Sequence, residues 1–194
     1  LIERLRVYLQ ARNRLRESDR GACFFQVTSP SRMSNPEYQK LQSDMAEEID
    51  RINRRLPEEE AIVHLDRGIP APENYRFMKE VDVMLVTPLE DGMNLVAFEY
   101  ILSQKYKSGE MRGVLVLSTS GAARVLRMKK FGEEDGVVFV DPMRPKEAGR
   151  RISDALDRGC RVSDRLIEYV ENERRVDDWA EKNIEAILNA PKKV

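Results

Sequence analysis

Short apolar runs alternate with longer stretches of helical periodicity along the chain. The runs at 23–27, 61–65, 81–87, 113–118 and 136–140 are five to seven residues long, and most are rich in β-branched or aromatic side chains. Such runs predict strands buried on both faces of a parallel sheet. Between 36 and 56, Tyr38, Leu41, Met45, Ile49 and Ile52 recur every three or four residues, with charges on the opposite face. That period predicts an amphipathic helix, and shorter helical stretches follow at 73–80, 94–105, 122–130 and 146–157. The alternation predicts one α/β domain over 1–194. It would be a Rossmann-like, doubly wound parallel sheet of about five strands with flanking helices and right-handed crossovers. The charged segment 163–190, which holds the sole tryptophan, Trp179, is expected to close the domain as a helix or helix pair. The loops at 28–36 and 105–112 and the tail 191–194 are expected to be its least ordered parts.

Composition narrows the function. The 194 residues carry 33 basic and 34 acidic side chains, a net charge of −1, which argues against a nucleic-acid surface. No apolar run approaches the length of a membrane span, and no signal-peptide pattern opens the chain. Two cysteines, Cys23 and Cys160, are too few for a disulfide framework, and the lone His64 makes a zinc site improbable. A cytoplasmic protein without metal or cofactor is expected, and self-association is left open. The first residues, Leu1-Ile2-Glu3-Arg4-Leu5, are already in helical stride with no cap before them, as if an upstream portion were missing.

In an open parallel sheet, ligands bind beyond the carboxyl ends of the strands. The loop after 81–87 is the richest in chemistry. Gly92 permits a tight turn, and the amides of Met93, Asn94, Leu95 and Val96 then sit at a helix N-terminus, a ready anion site. Asp91 in that turn and Glu99 eight residues on suit one carboxylate near a sugar and a second on the vicinal hydroxyls of a ribose. Asp91 as an N-cap and Glu99 as a solvated helix residue explain the same spacing. A second loop, Thr28-Ser29-Pro30-Ser31-Arg32, offers Arg32 as a phosphate clamp or as an ordinary surface charge. In the third, Asp66-Arg67-Gly68-Ile69-Pro70, the backbone is able to edge a base or simply to connect two elements.

The stretch 83–100, centred on Asp91-Gly92-Met93-Asn94-Leu95-Val96, resembles the signature of the trehalose-6-phosphate synthase family. The resemblance extends to Pro30-Ser31-Arg32 with Glu37-Tyr38-Gln39 and Arg51-Ile52-Asn53, to 113–118 with Gly121-Ala122-Ala123, and to Trp179. It covers nearly the whole chain but only the C-terminal, donor-binding half of that family of retaining, GT-B-fold glycosyltransferases. It implies transfer of glucose from a nucleotide sugar, UDP-glucose foremost, to glucose 6-phosphate. The donor-binding set it implies is Ile69, Asp91, Gly92, Met93, Asn94, Leu95, Val96, Ala97, Phe98 and Glu99. Asp91 is the catalytic residue by the same resemblance, and Arg32 reaches the acceptor phosphate. The acceptor-binding N-terminal domain, and an Arg and Lys pair that neutralises the diphosphate, would lie upstream of the opening helix. Here Phe98 stands where the family often has a basic or polar residue, and Glu90 where it commonly has Arg. A glucosylglycerol-phosphate or cyclitol-coupling relative, or a non-catalytic module that binds sugar nucleotide, are the alternatives.

Overall fold

The structure is a computed structural model that describes residues 2–28, 34–57, 60–91, 94–119 and 121–173. Its order is α1 (Ile2–Glu17), β1 (Phe24–Thr28), α2 (Pro36–Asn53), β2 (Ile62–Asp66), α3 (Ala71–Glu80), β3 (Val83–Val86) and α4 (Leu95–Ser103). There follow β4 (Val114–Leu117), α5 (Ala122–Met128), β5 (Val137–Phe139), α6 (Pro145–Asp157) and α7 (Asp164–Glu173). The predicted strands and the helices between them are present within a few residues of their expected bounds, and of the closing segment 163–190 the described part is α7, the rest lying outside the described residues. The loop at 105–112 is more ordered than expected: it carries short 3-10 turns at Gln104–Tyr106 and Gly109–Met111. Arg112 pins it with an ion pair to Asp164 at 2.7 Å. Trp179, most of the loop 28–36 and the tail 191–194 lie outside the described residues.

The strands alternate their side chains as period-two elements must. Val114 and Val116 of β4, with Val138 and Val140, face Val7 and Ala11 of α1 and Ala148, Ile152 and Ala155 of α6. Leu115 and Leu117, with Val137 and Phe139, face the other way, onto α4, α5 and α7. Helices on both faces of a parallel sheet make the domain doubly wound, as predicted. A third apolar cluster joins Leu5 and Tyr8 of α1 to Met45, Ile49 and Ile52 of α2 and Ile62 of β2. Helix α1 thus packs against both halves of the molecule.

The single sheet of five is where the structure differs. Hydrogen bonds divide the strands into a parallel pair, β1-β2, and a parallel trio, β3-β4-β5. Phe24 of β1 pairs with Ile62, and Val83 of β3 with Val114, but no ladder joins β1 to β3 among the described residues. Burial follows this division. β4 and β5 are wholly buried, β3 is mostly half-buried, and Phe25 and Val27 of β1 are exposed. Burial on both faces, expected of all five runs, thus holds for β4 and β5 but not for β1 and β2, where Phe25, Val27 and Val63 are exposed; an apolar run carries no information on which neighbour takes each face or edge. Among the described residues no helix is long and apolar enough to cross a membrane.

Candidate functional site

The carboxyl ends of β1, β2 and β3 carry the candidate side chains. At the first two, the Thr28 hydroxyl donates to Asp66 Oδ1 at 2.8 Å and lies 2.9 Å from His64 Nε2. A hydroxyl that donates to a carboxylate accepts from the imidazole, so Nε2 carries the proton. His64 is therefore held between strands as a structural donor. Ile69 lies half-buried in the connection from β2 to α3.

The β3–α4 loop separates the two readings of Asp91. The N-cap of α4 is Asn94, in extended conformation, whose side chain accepts from the Val96 amide at 3.0 Å. Asp91 lies three residues earlier, half-buried and off the cap. Leu95 and Glu99 share the exposed face of α4, one turn or about 6 Å apart along the axis. Glu99 is thus presented on the outer face of the same helix whose N-terminus Asn94 caps. Ala97 and Phe98 are buried in the cluster that covers β4, so any part they take in binding comes through their backbone. Val96 is half-buried, and its amide is engaged by the cap, so a ligand must share it with Asn94 or displace it. Gly92, Met93 and Arg32 lie outside the described residues. Among the described residues no group of three or more His, Cys, Asp or Glu side chains is placed to hold a metal.

The cap yields a direct test. Asn94→Ala is expected to cost about 1 kcal/mol of stability, read as a lower urea midpoint with unchanged slope. An unchanged midpoint would show that the cap adds nothing to stability.

Two inward-reaching charges of α1 escaped the sequence reading. The buried Arg12 donates to Glu60 at 2.7 Å, and the partly exposed Arg4, two turns earlier, reaches the middle of β1 and the end of β3. In a helix this rich in arginine, nothing local distinguishes an inward guanidinium from a solvated one.

The model of glycosyltransferase family 20 matches residues 2–189. The chain belongs to glycosyltransferase family 20. Among curated relatives, a trehalose-6-phosphate synthase of Mycobacterium bovis is 34% identical over 192 residues, covering 94% of this chain and 35% of its own length. A UDP-forming α,α-trehalose-phosphate synthase of Arabidopsis thaliana is 38% identical over 135 residues, 68% of this chain and 13% of the relative. A solved UDP-forming α,α-trehalose-phosphate synthase of Burkholderia xenovorans, in complex with glucose-6-phosphate, superposes with a TM-score of 0.80 at 27% identity, covering 97% of this chain and 40% of that one. A trehalose-6-phosphate structure from E. coli, bound with UDP-2-fluoro glucose, gives 0.78 at 25% identity, covering 96% and 40%. This family 20 chain therefore spans about a third of the Mycobacterium bovis relative and two fifths of these solved ones.

Proposed function

We propose that this chain is the donor-binding part of a retaining glycosyltransferase that moves glucose from UDP-glucose to glucose 6-phosphate, giving trehalose 6-phosphate. The observation that carries the reading is the β3–α4 loop: Asn94 takes the cap, which leaves Asp91 off the helix end and Glu99 on the outer face one turn in. In this assignment Asp91 and the loop amides hold the glucose, the Leu95 amide and the helix dipole face the diphosphate, and Glu99 grips the ribose hydroxyls. Ile69 edges the base through its backbone. Arg32 takes the acceptor phosphate, and the domain that binds the rest of the acceptor lies outside these 194 residues. Two relatives lend the substrates: one is solved with glucose-6-phosphate and another with UDP-2-fluoro glucose.

Retention without a protein nucleophile places the work on positioning and on charge. The departing diphosphate gathers negative charge as the glycosidic bond breaks, and fixed amide dipoles stabilise it without reorganising. Asp91, near the sugar, is suited to orient it for attack on the face the leaving group vacates.

Calorimetric titration with UDP-glucose tests the reading. The chain is expected to bind, and Glu99→Ala to weaken binding about tenfold through loss of charge-assisted hydrogen bonds to the ribose. Equal affinity in the two proteins would remove Glu99 from the site.

A further inference from the structure

Arg4 hydrogen-bonds to both halves of the divided sheet. Its Nη1 donates to Gln26 Oε1, in the middle of β1, at 3.5 Å. Its Nε donates to Thr87 Oγ1, just beyond β3, at 3.4 Å. Both partners are themselves buried, Gln26 at 1% exposure and Thr87 at 7%. The Gln26 amide is oriented by a bond from its Nε2 to the Val27 carbonyl at 3.2 Å, which turns its oxygen toward Arg4. The guanidinium end is densely enclosed although the residue keeps some exposure, and burial lowers its pKa from the ordinary arginine value. It remains a cation at neutral pH.

Among the described residues Arg4 has no counter-charge in contact. Arg12, on the same helix, has the Glu60 carboxylate against it, whereas the hydrogen-bond partners of Arg4 are an amide and a hydroxyl. Among the described residues Arg4 forms no ion pair. An enclosed cation held only by long bonds to neutral groups is costly unless an anion arrives. The place is apt for one. Arg4 bridges β1 and the end of β3, between which no ladder runs among the described residues, and Thr87 begins the segment that leads to Asp91 four residues later. Such a junction at the carboxyl ends of parallel strands is where doubly wound sheets take ligands.

We propose that Arg4 is a positioning residue of the donor site, which ties the start of the β3–α4 loop to β1 through Thr87 and Gln26 and supplies the positive charge that draws a diphosphate into the junction. The proposal rests on the donor reading above for the nucleotide, but not for the anion. Losing Arg4 frees Thr87 and removes the field together, so the diphosphate suffers more than the base or ribose.

Calorimetry with UDP and with uridine on the 194-residue chain, with Arg4→Met and Arg4→Lys beside the wild type, separates charge from scaffold. Arg4→Met is expected to weaken UDP binding about tenfold while uridine changes less than about twofold. Arg4→Lys is expected to recover most of the UDP affinity. Arg4→Gln, which keeps hydrogen bonding without charge, replaces the methionine variant if that one fails to fold. Equal loss for UDP and uridine, or no loss for either, overturns the proposal while leaving the donor reading in place. Thermal denaturation with inorganic pyrophosphate gives the independent arm: the anion is expected to raise the wild-type Tm and not that of Arg4→Met. If pyrophosphate acts through Arg4 but neither UDP nor uridine binds, the charge assignment holds and the donor reading fails. If none of the three binds the wild type, both are overturned.

Discussion

Replacing Gly136 by alanine is expected to destabilise the fold by about 3–5 kcal/mol. Gly136 leads into β5 in the left-handed region, with φ +75°. A Cβ there would stand 2.2 Å from the Arg161 carbonyl carbon and 2.3 Å from the Val162 nitrogen. Both obstacles are backbone, so no side chain can swing aside. The obstructing segment is itself fixed, since the Val162 amide donates to the Gly113 carbonyl at 3.0 Å. The overlap would therefore spread to the entrances of both β4 and β5. Gly159 is the control: its φ is +71°, yet a Cβ added there would meet nothing within 4 Å. Gly159→Ala should cost only the left-handed strain, about 1 kcal/mol. Urea midpoints of the two variants measure the difference, and equal midpoints would contradict the close approach at Gly136.

Removing Glu60 is expected to cost about 3–5 kcal/mol, because it strands Arg12 in the interior. Glu60 and Arg12 are 6% and 9% exposed, and Glu60 Oε2 accepts from Arg12 Nε at 2.7 Å and from Nη2 as well. Arg16 adds a second, longer pairing at 3.6 Å. The Glu60 carbonyl also receives the Tyr8 hydroxyl at 2.8 Å, so this stretch is joined to α1 at two points. The loss expected of Glu60→Ala exceeds the value of the pair itself, since an uncompensated buried charge remains. The double variant Arg12→Met with Glu60→Met tests that distinction: it should regain most of the midpoint lost in Glu60→Ala. A double variant as unstable as the single one would show that the charge left behind is not the cause.

How far the molecule could be read in advance depended on the range of the interaction. The run at 113–118 is apolar at four consecutive positions, Val114 to Leu117, so its burial on two faces follows from residue type alone, and β4 is wholly buried. The period of Met45, Ile49 and Ile52 likewise defines the inner face of α2. Edges are another matter. Phe24 to Thr28 and Val83 to Val86 are both good strand sequences, yet their failure to pair is a property of spacing between elements that neither sequence contains. The candidate site shows the same boundary at smaller scale. Asp91 and Asn94 are both favoured at N-caps, and only the backbone geometry assigns the cap to Asn94. Ala97 and Phe98 entered the expected donor set through the resemblance, whereas helical geometry turns their side chains into the core. Arg12 and Glu60 are 48 positions apart, and no local pattern brings them together.

The central claim, that the loop between β3 and α4 receives a nucleotide sugar, is tested most directly by following backbone amide resonances of the ¹⁵N-labelled chain during titration with UDP-glucose. Saturable shifts are expected from Asp91 to Glu99 and at Ile69, with β5 and α7 unmoved. Saturable shifts elsewhere with the β3–α4 loop silent, or no shifts at millimolar ligand, would contradict it.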